Sequence, residues 1–167
     1  MKLLPFENII YRTKLDSEEI LKRIGDVIEP YRKFRIIGIF GISNYEPYQG
    51  NINGSSFSVS RIIGYKNSFQ PRIKGTIEKD FNGIKVKVKM RLSPFILTFA
   101  LLWFAFVILS FASILTICIK KGSFEPIIFI PLGMFFLVYG LTTGGFKYES
   151  MKSKEYFAQL FEAEIEN

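Results

Sequence analysis

The residues in this chain best placed for chemistry are basic. Lys85, Lys87, Lys89 and Arg91 recur at every second position, interleaved with Ile84, Val86, Val88 and Met90. A period of two sends the cations to one face of a strand and the apolar side chains to the other. Such a ladder has two readings. It is the solvated face of a half-exposed strand, whose lysines also blunt edge pairing, or it is a surface for anionic lipid, where each cation near a headgroup layer contributes about 1 kcal/mol. Arg61 is the second unusual cation, because it alternates with Phe57, Val59, Ile63 and Tyr65 on the face expected to point inward. A buried guanidinium needs partners. Glu7, Asp16, Glu29 or Glu46 supplies one in a structural reading, a bound anionic group does so in a ligand-pocket reading, and in a third reading a bulge turns the side chain outward. Tyr65, Asn67 and Arg72 complete the candidate ligand-binding set around it.

Other chemistry is thin. The chain has no histidine and one cysteine, which removes a histidine base, an intrachain disulfide and a Cys/His zinc site. Cys118 falls inside a long apolar run, where a thiol is a packing group. Glu18 and Glu19 suit the first turn of a helix, Glu78 and Asp80 approach a turn, and the C-terminal glutamates read as a solvated helix face. Ser55, Ser56, Ser58 and Ser60 have no base beside them, and Gly38-x-x-Gly41 lacks the Lys-Ser/Thr sequel of a phosphate loop. The expectation is a protein that is not an enzyme, with no cofactor, no metal and no catalytic residue.

Two runs without a charge position everything else. Pro94 to Ile119 and Pro126 to Phe146 are separated only by Lys120-Lys121-Gly122-Ser123-Phe124-Glu125. As helices they reach roughly 39 Å and 31 Å at about 1.5 Å per residue, against a bilayer core of about 30 Å. They predict a transmembrane helical hairpin. Its ionisable side chains are Cys118 and Tyr139 alone, which argues against a proton relay or a charged pore. Trp103 near mid-helix suits packing, Pro131 is placed to kink the second helix, and Gly144-Gly145 to end it.

Formal charge is +7, with seventeen Lys/Arg against nine Asp/Glu before Pro94 and three Lys against five Glu after Phe146. A basic body beside a membrane points to anionic lipid before nucleic acid, since no nucleic-acid module accompanies it. Nine flanking cations stand on the side of the termini against Lys120 and Lys121 in the loop. That asymmetry predicts a multi-pass protein of the inner (cytoplasmic) membrane with both termini in the cytoplasm. Met1 to Glu7 is too short and interrupted for a signal peptide, so the hairpin is expected to direct insertion.

The rest of the chain reads as α+β. Asn8 to Leu15 predicts a strand, and Asp16 with Glu19 a capping box before the helical spacing of Ile20, Leu21, Ile24, Val27 and Ile28, closed by Pro30. Residues 31–48 read as a short strand or irregular crossover. Asn53-Gly54 and Asn82-Gly83 predict hairpin turns, and strands between and after them give an antiparallel β meander packed by the amphipathic helix. Tyr148, Met151, Phe157, Leu160, Phe161 and Ile165 predict a C-terminal helix that returns to the sheet. The expected division is a cytoplasmic α+β domain over 1–93, a hairpin over 94–146 (94–119 and 126–146) and the C-terminal helix over 147–167.

The stretch Arg61-Ile62-Ile63-Gly64-Tyr65-Lys66-Asn67-Ser68-Phe69-Gln70-Pro71-Arg72-Ile73-Lys74-Gly75, with Met90-Arg91-Leu92-Ser93-Pro94-Phe95, resembles small uncharacterised bacterial membrane proteins with a strand-rich body and two adjacent membrane helices. That resemblance covers residues 48–165 and implies no activity. The element order is also similar to helix-grip (START-like) domains and, less closely, to bacterial pleckstrin-like domains, with two membrane helices standing where the helix-grip fold would finish its sheet. Function is then expected as a membrane-anchored binding or regulatory module. A lipid or hydrophobic-ligand domain with a pocket between sheet and helices, and an oligomeric membrane effector, are the alternatives. Expected partners are membrane lipids together with a protein or a second copy of the chain, and no nucleic acid.

Overall fold

A computed structural model describes residues 4–30, 46–65, 67–81 and 83–166. Most of the stretch 31–48, expected as a short strand or crossover, lies outside the described residues.

Alternating side chains produce the strands. β1 (Phe6–Thr13) begins two residues before the expected start and buries Ile9, Tyr11 and Thr13 on one side. β3 (Tyr48–Asn53), β4 (Ser56–Arg61), β5 (Arg72–Asp80) and β6 (Gly83–Arg91) form the expected antiparallel meander. Gly54 and Gly83 take φ of +55° and +127° at its turns, values glycine adopts without a Cβ clash. β2 (Ile28–Glu29) adds a parallel strand and β7 (Glu164–Glu166) pairs with β1, giving one mixed sheet in the order β2-β3-β4-β5-β6-β1-β7. Both edge strands are three residues or shorter.

α1 (Ser17–Asp26) starts after Asp16 as expected, but no side-chain cap forms there. Glu19 instead binds Arg23 at 2.9 Å, and Arg23 also donates to the Leu160 carbonyl at 3.1 Å and to Glu162 at 2.7 Å. The capping box loses its glutamate to a longer-range latch between the helix and the C-terminal segment.

α2 (Pro94–Lys121) leaves β6 after Leu92 and Ser93, with Pro94 at its first position, where a missing N–H costs nothing. A 3-10 turn (Pro126–Ile128) leads into α3 (Phe129–Leu160). Both helices are long and apolar enough to cross a membrane. Pro131 falls in the first turn of α3, so it need not kink the helix. The expected end at Gly144-Gly145 is not there: α3 continues unbroken for 32 residues. The C-terminal helix and the second apolar helix are one rod.

That rod and α1 cover the inner face of the sheet. Phe157 of α3 stacks on Tyr48 (ring centroids 5.0 Å) and on Phe161 (5.5 Å), with Phe57 at 5.9 Å. Tyr11 meets Phe161 edge-on at 5.8 Å. Aromatic rings thus fill the space between meander and helix. Phe57 reaches it only because Gly75, opposite in register, has no side chain: a Cβ there would collide with the ring. Gly75→Val is therefore expected to cost about 1–3 kcal/mol by overpacking, read as a fall in Tm of roughly 2–12 °C for the full chain in detergent. An unchanged Tm would mean the ring has room to move.

Candidate functional site

The outward face of β5 and β6 carries the basic ladder, and register decides which cations are paired. Arg72 stands opposite Arg91, Lys74 opposite Lys89, Thr76 opposite Lys87 and Glu78 opposite Lys85. Both acids of β5 lie toward its turn. Lys87 binds Glu78 at 2.6 Å and Lys85 binds Asp80 at 2.7 Å. Arg12 joins Asp80 at 3.3 Å and Glu166 at 2.9 Å. Bonds from Lys85 and from the Phe81 backbone N–H, with Arg12 nearby, hold Asp80 below the usual carboxylate range. This turn end of the ladder is neutralised.

At the other end no acid among the described residues pairs with Arg72, Lys74, Lys89 or Arg91. Like charges directly opposite on neighbouring strands oppose folding by a fraction of a kcal/mol up to about 1 kcal/mol per pair. The four cations, with Leu92 and Pro94, line a groove of about 330 Å³ where the sheet passes into α2. The alternation that marks Lys85 through Arg91 as one set does not show this division. Lys74, which the sequence reading left out, belongs to the unpaired group, and Arg72 joins it rather than Arg61.

Arg61, Tyr65 and Asn67 gather on the opposite face, against α3. Arg61 Nη1 lies 3.2 Å from Glu149 Oε2, and the Tyr65 hydroxyl donates to Glu149 Oε1. Glu149 has no exposed surface, while Arg61 keeps 30% of its side chain exposed. None of the acids expected to partner Arg61 does so. The glutamate read as part of a solvated helix face is instead fully buried. A signal for it exists: Phe146, Glu149, Ser150, Ser153, Phe157 and Phe161, all buried, recur at helical spacing on one stripe. Desolvation, the bond to Glu149 and its charge push the Tyr65 phenol up to about 12.

Two further ties surround this pair. Asn67 Nδ2 donates to the Gly145 carbonyl at 3.3 Å, and the Phe69 ring packs so close that a Cβ on Gly145 would sit 3.2 Å from it. Lys147 binds Glu7 of β1 at 2.6 Å. Gly145, Lys147 and Glu149 thus fasten little more than one turn of α3 to β4, to the loop after it and to β1. Held by a guanidinium from β4 and a phenol from the loop after it, Glu149 works as a clasp between sheet and helix. Deeper in, the Tyr48 and Ser153 hydroxyls are buried without a hydrogen-bond partner. Burial pushes Tyr48 up to about 12, and Ser153 and Arg61 partly oppose this although the two hydroxyls do not reach bonding geometry. No group of three or more metal-ligating side chains occurs among the described residues. No family model, curated protein or solved structure matches the chain.

The clasp predicts an asymmetry. Arg61→Leu strands the buried carboxylate and is expected to cost about 3 kcal/mol, whereas Glu149→Gln leaves a guanidinium that can turn to water and costs less. Thermal unfolding of the full chain in detergent measures both, and equal losses would show that Glu149 is not held dry. The tyrosines predict an alkaline limit. With folded values raised from 10.0 to about 12 for Tyr48 and Tyr65, their contribution is fully present below pH 10 and is lost as pH rises toward 12. Tyr48→Phe removes an unpartnered hydroxyl, so it should preserve Tm at neutral pH and move the alkaline unfolding midpoint upward. A midpoint that stays in place would assign the transition to other groups.

Proposed function

We propose that this protein is a non-enzymatic, membrane-anchored binding module whose basic sheet face meets an anionic leaflet at its α2 end. In this reading α2 and α3 cross the inner membrane as a hairpin, with the sheet and both termini in the cytoplasm. The apolar surface of the helices supports insertion. Only 11% of the most apolar stretch of α2 and 17% of that of α3 are buried, and Phe99, Leu102, Phe106, Leu109, Phe136 and Leu137 face outward. A helix at the core of a soluble protein hides such residues. The excess of cations on the terminal side supports the orientation.

One observation carries the functional reading: the unpaired cations are those nearest the apolar helices. Arg91 precedes Pro94 by three residues, roughly 10 Å of strand at about 3.3 Å per residue. Lys85 lies roughly 20 Å further along. The Debye length is about 8 Å at physiological ionic strength, so a leaflet at the start of α2 attracts Arg91, Arg72, Lys89 and Lys74 far more than Lys85. The cations too remote to feel a headgroup layer are the ones supplied with carboxylates by the fold. Arg91 and Arg72, nearest that layer, gain up to about 1 kcal/mol each from anionic lipid, and Lys89 and Lys74, about 7 Å further along, gain less; bound lipid also relieves their mutual repulsion. The turn between β5 and β6, where Phe81 is fully exposed, then faces the cytoplasm as the end available to a protein partner.

A pair of cysteine variants in a Cys118→Ser background tests this. Ser123→Cys should react with an impermeant thiol reagent added outside intact cells, and Ser58→Cys only after lysis. An environment-sensitive dye on Ser58→Cys, on β4 opposite Lys74, should report a drier surrounding in nanodiscs containing anionic lipid than in neutral ones, reversed by salt. Labelling of Ser58→Cys from outside would overturn the orientation. A dye signal indifferent to lipid charge would overturn the leaflet contact.

A further inference from the structure

We infer that the groove between β5 and β6 is a discrete site for one phosphomonoester group, in addition to being part of a charged face. The inference deepens the leaflet reading and rests on it for the source of the ligand, a lipid headgroup. Its basis is geometric. Arg72 with Arg91 and Lys74 with Lys89 are two directly opposed pairs on one face of an antiparallel ladder. Opposed Cβ atoms stand about 5 Å apart across such a ladder, and the two pairs are about 6.6 Å apart along it. Four long side chains rising from that rectangle line one groove of about 330 Å³, roomy enough to admit a phosphate group.

The chemistry of the four matches as well. Two guanidiniums present planar forks that suit bidentate bonds to phosphate oxygens, and two ammoniums add point charges. A phosphodiester, with one negative charge, leaves most of this charge uncancelled. A phosphomonoester carries about −1.5 to −2 near neutral pH and has a third terminal oxygen to offer. Among the described residues no acid fills the site, because Glu78 and Asp80 are held at the turn by Lys87, Lys85 and Arg12. Leu92 and Pro94 form the remaining wall. They give an apolar path from the groove onto the surface of α2, where Phe95 is exposed, so a headgroup seated there would leave its chains on the helix.

Native mass spectrometry of the full chain in detergent, with phosphatidic acid, phosphatidylglycerol or inorganic phosphate added, tests the site. One phosphatidic acid per chain should be retained, about tenfold more tightly than phosphatidylglycerol, which corresponds to about 1.4 kcal/mol. The double variant Arg72→Gln/Lys89→Gln should lose this preference. Lys85→Gln/Lys87→Gln, which removes the same charge from the same face, should keep it within about twofold of the parent, a difference below about 0.5 kcal/mol. The first double variant relieves repulsion, so its Tm should hold or rise, and loss of lipid cannot then be put down to unfolding. Arg72→Lys/Lys89→Arg should restore retention. Inorganic phosphate bound as tightly as phosphatidic acid would uphold the phosphate site and overturn its lipid source. Equal retention of the two lipids, or equal losses in the two Gln double variants, would overturn the discrete site while leaving the leaflet contact standing. Dye behaviour indifferent to lipid charge, with phosphatidic acid still retained, would do the reverse.

Discussion

The structure depends on one carboxylate being kept dry. α3 runs about 48 Å at about 1.5 Å per residue, and over that length it passes from apolar on every side to apolar on a single stripe. Glu149 sits on that stripe just past the change, with no exposed surface. An isolated carboxylate in such a place would cost several kcal/mol, so the helix can lie flat on the sheet only where a cation and a donor meet it. Arg61 at the end of β4 and Tyr65 in the loop that follows supply both. The same loop then places Asn67 and Phe69 against Gly145. Gly145 is a notch for that loop, whereas a Cβ on Gly144 would meet nothing, and the helix continues through both.

The two faces of the sheet divide their roles by this means. The inner face spends its polar groups on holding α3, through Arg61, Glu7 and the Thr13 hydroxyl, which donates to the Phe161 carbonyl at 2.6 Å. Among the described residues no helix covers the outer face. Its acids gather at the turn between β5 and β6, and its free cations at the opposite end. A single strand therefore carries a gradient from neutral to strongly positive, directed at the first residue of α2.

Much of this architecture was legible in the sequence. The strict alternation of β6, the Asn-Gly turn at Gly54 and the charge-free runs each express a local rule that the structure obeys. The clasp was not legible, because its members are 88 residues apart and Glu149 resembles its exposed neighbours until its helical phase is followed to Phe157. Nor was the division of the ladder. Lys85 and Lys89 both stand between apolar residues in sequence, and only the register with β5 shows that one meets an acid and the other a lysine. β7 escaped notice because three residues form a strand only when β1 is there to receive them.

The placement of α3 also imposes an order of events. The inner face of the meander, with Phe57 and Tyr48, is made from the first half of the chain, yet Phe157 and Phe161, which cover it, come after both charge-free runs, at the far end of α3. During synthesis the sheet stays open until the hairpin has been made and the last helix turns have emerged. β7 then closes on β1, joining residues more than 150 positions apart, contacts of the kind that form late and slowly. If the hairpin inserts as proposed, the cytoplasmic domain cannot complete its fold ahead of insertion. A chain that fails to enter the membrane would keep its aromatic face uncovered, and so would be open to recognition as unfinished.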